Sequence, residues 1–202
     1  MAENLPKEER QSQIMDAAMK VFTQKGYANA RVDDIVRASG LSKGAIYHHY
    51  EDKEDIFLSL IDHWETQTFP SFYSRDGKER SASDTLRFFA NEIIQVFKSR
   101  SYVFHAEVEF WSLSNQNDEV RNRSQILYEK IINLFELVIN KGIRNKEFIS
   151  VDTRTAAIYI LSVFQGINWF CIFNDKKLKA EDYVRHSIEM VISGMAIAKE
   201  EN

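Results

Sequence analysis

Gly40-Leu41-Ser42-Lys43-Gly44-Ala45-Ile46-Tyr47-His48-His49-Tyr50-Glu51-Asp52-Lys53-Glu54-Asp55-Ile56 is the stretch from which the rest of the chain is read. It spells a tight turn, a very short helix and the start of another. Glycine takes the left-handed cap conformation at little cost, so Gly40 ends whatever helix precedes it. Ser42 stands where an N-cap belongs, its hydroxyl able to accept a backbone N–H two or three residues on. Leu41, Ile46 and Tyr50 are spaced to face inward, which leaves Lys43, Tyr47 and His48 facing out. A short helix that shows a cation, a phenol and an imidazole to solvent is poor scaffolding and a good surface for reading a polyanion. Upstream, Val32, Ile35 and Val36 fall at i, i+3, i+4 on one helix face. Two helices joined by a three-residue turn containing glycine make a helix-turn-helix, whose second helix enters the major groove.

Within this unit Lys43 is the first candidate for a contact to guanine O6/N7 or to a phosphate. Gly44 costs about 1 kcal/mol relative to alanine inside a helix. Either close approach of DNA or crowding by another helix would explain it. Ala45 is small enough to meet a thymine methyl. His49 is divided between core and groove. His48 and His49 do not make a metal site, because neighbouring helical residues point about 100° apart. Asp52 is a plausible cap for a helix starting at Lys53. Lys7 and Arg10 precede the apolar face of the first helix and are either contacts to the DNA backbone or solvated charges at a helix start.

The run from Gly26 to Phe57 resembles the DNA-binding signature of TetR/AcrR-type transcriptional regulators, at Gly26, Ile35, Gly40, Ser42, Gly44, Tyr47, Tyr50 and Lys53. It covers roughly the first quarter of the chain. The resemblance implies phosphate contacts at Tyr47, His48 and Lys53. The Thr or Ser pair usual before the second helix is Ala30 and Arg31 here. Arg31 can still reach a phosphate as a charge, but it cannot supply the capping oxygen.

The composition fits a helical protein. In 202 residues there are two prolines, Pro6 and Pro70, and seven glycines. Periodic runs are long, so the expectation is all-α with about nine helices. Residues 1–52 would form a DNA-binding head and 53–202 a ligand-binding and dimerisation body. The single Cys171 excludes an intramolecular disulfide and fits a reducing compartment. The opening residues carry no apolar signal region, so a cytoplasmic location is expected. The net charge is −4, and residues 1–53 carry eight basic and eight acidic residues. Bulk attraction therefore cannot hold DNA. Binding must come from a few placed cations and helix N-termini, doubled by dimerisation.

Ile14, Ala17, Ala18, Val21 and Phe22 mark a first helix over 7–25. Further amphipathic helices follow, with a loop expected from Pro70 through Ser74–Ser83. Thr155 to Asn174 holds no charged residue. Its length permits a membrane span, but Thr155, Ser162, Gln165 and Asn168 interrupt it and no positive flank marks an insertion. It reads instead as a helix buried all round. The last helix would cover one side and a second copy of the chain the other, with Gly166 allowing close approach. The resemblance implies the same, a homodimer through the last two helices. Its two heads would bind half-sites of a double-stranded operator about 34–36 Å apart.

The body is rich in aromatic residues, and a cavity there would suit a small apolar or aromatic effector. Phe89, Phe104, Trp111, Tyr128, Phe164 and Trp169 are candidate walls, with His105, Glu109, Gln165 and Asn168 as polar handles. His105 and Glu109 stand i, i+4 and could bind a cation or, as the plainer reading, form a solvated pair. No Gly-rich phosphate loop, metal-spaced Cys/His set or nucleophile motif is present, so neither an enzyme nor a cofactor is expected. The reading is a ligand-released repressor; the alternative is a helical interaction module whose head docks a protein.

Overall fold

A computed structural model describes residues 6–69, 80–173 and 177–197, with the Gln67 side chain left aside. Ten helical segments follow one another: α1 (Lys7–Lys25), α2 (Val32–Ser39), α3 (Lys43–Tyr47), α4 (Lys53–Thr68), α5 (Ala82–Arg100), α6 (Tyr102–Ser114), α7 (Asp118–Arg144), α8 (Thr153–Gln165), α9 (Ile167–Phe173) and α10 (Ala180–Met195). Because α8 and α9 are one helix interrupted at Gly166, this amounts to the nine expected. The fold is all-α, and the one β-bridge among the described residues joins Phe148 to Ala196.

The turns obey the local chemistry. Gly40 closes α2 at φ +70°, and Ser42 accepts from the Ala45 N–H at 3.2 Å to open α3. Asp52 caps α4 through the Asp55 N–H at 2.8 Å. Ser81 caps α5, and the Glu147 carboxylate takes the Ala82 and Ser83 N–H groups at 3.1 and 3.2 Å. A negative group there suits the positive end of the helix. Ser83, expected at the end of a loop, therefore lies inside α5. Pro70 and Ser74 fall outside the described residues.

Head and body share one apolar core. α4 is the seam: Phe57 packs edge-on against Phe22 of α1 at 5.2 Å, Tyr27 at 4.8 Å and Phe110 of α6 at 5.5 Å. In the body, α7 packs on α8 and α10 on α5.

The uncharged stretch is buried on one side only. Ala157, Ile160, Leu161, Phe164 and Ile167 face inward, whereas Tyr159 (56% exposed), Trp169 (56%) and Phe173 (60%) face out. Tyr183 of α10 explains Gly166: a Cβ there would stand 1.9 Å from the Tyr183 hydroxyl, which donates to the Val163 carbonyl at 3.0 Å.

Candidate nucleic-acid interface and effector cavity

α3 is held from below and open above. Ile46 and Tyr50 are buried, while Ser42, Lys43, Gly44, Tyr47 and His48 are exposed. Nothing lies within 4 Å of a Cβ built on Gly44, so crowding within the chain does not account for that glycine. Lys43 meets Asp33 of α2 at 2.9 Å and lies 6.0 Å from the Tyr47 ring centre. Both partners of that ion pair are more than half exposed, so the pair is weak and a stronger anion can replace Asp33. Hydrogen bonding to Asp33 also raises the Lys43 pKa. His49 is half-buried and its pKa is lowered, first by burial and then by His48, Lys7 and Arg10.

Arg31 is exposed and opens α2 without a side-chain acceptor. Asp34 supplies the reciprocal half of the cap, accepting the Arg31 N–H at 3.0 Å. Its carboxylate also binds Lys25 at 2.7 Å and Arg37. The Lys25 hydrogen bond, before the Arg31 one, lowers its pKa. Lys53 is placed differently from expectation. Its ammonium donates to the Tyr27 carbonyl at 2.8 Å and lies 4.2 Å over the Tyr27 ring, so its charge is engaged by the head while the residue stays partly exposed.

In the body, Trp64, Thr68 and Phe69 of α4 and its end, Ile93 of α5, Phe104 and Glu107 of α6, and Leu161, Phe164 and Gln165 of α8 enclose a cavity. It leaves about 10 Å³ for the centre of a water-sized sphere, room for about one water. Of the expected residues, Phe104, Phe164 and Gln165 line it. Tyr128 and Asn168 stand behind it, bound to Glu107, and Trp111 donates to the Tyr128 hydroxyl at 2.6 Å. Three expectations are corrected. Phe89 packs on Phe135 with ring centres 6.0 Å apart, away from the wall. Trp169 is on the surface against Phe173 at 4.4 Å, because its side of the helix faces out. His105 and Glu109 do not pair. His105 Nε2 lies 2.9 Å from the Cys171 carbonyl, and Glu109 accepts the Tyr27 N–H at 3.2 Å.

Glu107 is the residue the sequence reading missed. It is 1% exposed and meets only neutral donors: Tyr128 Oη at 2.9 Å, Gln165 Nε2 at 3.0 Å and Asn168 Nδ2 at 2.8 Å. Burial raises its pKa against the opposing pull of those three bonds. Two further polar atoms near it, Thr68 Oγ1 on the wall and Asn168 Oδ1, are buried without a hydrogen-bond partner. A signal existed. Val103, Ala106, Glu107 and Phe110 fall at i, i+3, i+4, i+7, so the apolar stripe of α6 carries a carboxylate.

Comparison with known proteins assigns both halves. Residues 14–60 match the model of bacterial regulatory proteins of the tetR family, and residues 72–197 match that of the C-terminal region of QacR-like proteins. The fatty acid metabolism regulator protein of Bacillus subtilis is 25% identical over 185 residues, 91% of this chain and 94% of that protein. The fold matches that of FadR, a transcriptional regulator from Bacillus subtilis, crystallised in complex with stearoyl-CoA. The TM-score is 0.77 at 23% identity, over 91% of this chain and 98% of that one. A protein from Saccharomonospora viridis in complex with choline matches with TM-score 0.80 at 17% identity, over 95% of this chain and 100% of that one.

Proposed function

Because this chain belongs to the tetR family of bacterial regulatory proteins, we propose that it acts as a homodimeric repressor whose two heads hold adjacent half-sites of a DNA operator until a small effector releases them. It is a DNA-binding transcriptional regulator and not an enzyme. The observation that carries the reading is the outward face of α3. Lys43, Tyr47 and His48 stand exposed on a capped helix. Lys43 would exchange Asp33 for a phosphate or a guanine, Ala45 and Gly44 would let the backbone come close, and Ser42, Tyr47, His48, His49 and Arg31 would fix the register. Lys53 would act from behind by holding the head. Residues 1–52 bind DNA in this scheme, and 53–202 bind effector and partner.

The outer face of α8 and α9 supports the dimer. Tyr159, Trp169 and Phe173 recur on one exposed side, with Ile158 and Ile172 next to them. An apolar stripe of this kind marks an interface. Pairing there, in the cytoplasm, removes the need for a membrane to cover it.

The effector would enter between α4, α6 and α8. Pockets for such molecules hold about 300–1,000 Å³, so the closed cavity must open to admit one. That difference between closed and open walls is what lets a ligand shift the equilibrium. Aromatic walls around Glu107, with Thr68 Oγ1 unpartnered, suit an apolar molecule that brings an N–H donor.

The test is titration of labelled duplex selected from a randomised pool. Specific binding should weaken about 10³–10⁵-fold between roughly 50 and 200 mM salt if six to ten phosphates are contacted. No selected sequence, together with stoichiometric capture of a protein by the head, would replace this reading with that of an interaction module. Among matched probes, 4-phenylbutylammonium should raise the melting temperature, whereas 4-phenylbutanoate should not.

A further inference from the structure

α6 touches the cavity and the head with opposite faces. Phe104 and Glu107, three residues apart, share the side that lines the cavity. Tyr102 and Glu109, seven residues apart, share the other, since seven residues make nearly two helical turns. On that side the Lys20 ammonium of α1 lies 5.3 Å from the Tyr102 ring centre. Two residues further along α6 from Glu107, Glu109 Oε2 accepts the Tyr27 N–H at 3.2 Å.

Tyr27 lies in the turn between α1 and α2. Its N–H is held by the body, through Glu109, and its carbonyl by Lys53, the first residue of α4, at 2.8 Å. Both polar backbone atoms of one head residue are therefore gripped from outside the first three helices. Gly26 bends the chain into the grip at φ +72°, a conformation that favours glycine. The Tyr27 ring seals the contact against Phe57 at 4.8 Å, and Phe57 in turn packs on Phe110 of α6 at 5.5 Å. Five residues after Tyr27 the chain enters α2, which sets α3.

We propose that Glu109 is the positioning residue of the switch: its hold on the Tyr27 backbone carries a displacement of α6 at the cavity into the turn that orients the reading helix. The inference rests on the effector reading above and adds the residue that transmits it. Side chains packed between two discrete arrangements are the physical basis of such coupling. Glu109 lies neither on the outward face of α3 nor on the cavity wall, so its removal leaves the contacting groups in place and changes how the reading helix is set and how strongly the cavity acts on it.

The experiment uses the full chain as wild type, Glu109→Ala and Glu109→Gln, with the selected operator and 4-phenylbutylammonium as probe. Wild type should lose operator affinity on adding saturating probe by about 10-fold or more, within the usual range for coupled sites. Glu109→Ala should show the same probe-induced rise in melting temperature but only about a 3-fold or smaller loss of operator affinity. Glu109→Gln keeps an acceptor for Tyr27 and should behave as wild type. A full response in Glu109→Ala, or an equal loss in both variants, overturns the proposal.

If the probe fails to stabilise wild type, the effector class is wrong and the ligand-free arm decides the coupling. There Glu109→Ala should speed hydrogen exchange at the Tyr27 amide and weaken operator binding about 5-fold or more, the lower end of typical coupling. Unchanged exchange and affinity refute the grip. Should Glu109→Ala melt early, Glu109→Asp, which keeps the charge but shortens the reach, takes its place under the same criteria.

Discussion

The outward face of α3 and the cavity wall between α4, α6 and α8 each set a few polar groups among apolar ones, yet those groups find their partners in opposite ways. On α3 the partners are near in sequence and the groups face water. Ser42 caps its own helix and Lys43 meets Asp33. Such groups cost little to hold and are ready to exchange partners. In the cavity the partners come from far along the chain. Glu107 gathers donors 21, 58 and 61 residues away, and none of them brings a charge. A carboxylate there is costly unless something answers it. In the proposed function one region is assembled to be given away to a polyanion, while the other carries a deficit that a ligand can fill.

Substitutions can sharpen or break that contrast. Phe164→Ala strips the cavity wall of a ring 3% exposed, and should lower unfolding stability by about 3–5 kcal/mol, read by chemical denaturation. A loss under about 1 kcal/mol would mean the wall is already loose. Lys43→Ala combined with Tyr47→Ala should weaken operator binding about 100-fold, two contacts at roughly 1–3 kcal/mol each, and leave the melting temperature unchanged. A stability loss here would erase the distinction.

Glu107→Gln should stabilise the ligand-free protein at neutral pH, because burial raises the carboxyl's pKa and ionising it there opposes folding. The sign follows from linkage. The folded pKa lies above that of an ordinary carboxyl, so the group's favourable contribution is full below the ordinary carboxylate range and is lost as pH rises through the folded pKa. Wild type and variant should therefore melt together in acid and separate towards neutral and alkaline pH. Melting curves at several pH values check this, and a constant offset would count against the assignment. The smallest effect is that of Ser42→Ala, about 1 kcal/mol for a lost helix cap, seen as modestly weaker operator binding.

The same contrast explains what could be read from residue order. Gly40, Ser42 and the inward set Leu41, Ile46 and Tyr50 act over a few positions, so spacing alone places them. The Ala30-Arg31 departure also showed its consequence, since Arg31 offers no acceptor and Asp34 does the holding. Lys53 was legible as a cation but not in its direction, which depends on a carbonyl 26 residues earlier. The cavity wall draws on α4, α5, α6 and α8, and nothing local says which aromatic rings converge. Phe104 and Phe164 do, while Phe89 and Trp169 belong to other surfaces. Glu107 alone left a trace, as a charge in an apolar stripe.

The break at Gly166 has a consequence for assembly. The Tyr183 hydroxyl fixes where the helix gives way, and so fixes the angle between Tyr159 on one limb and Trp169 and Phe173 on the other. A mating surface bent from within accepts only a counterpart with the matching bend, which a second copy turned through half a revolution supplies by construction. Where two copies pair through this face, Tyr183 sets the bend that both must share.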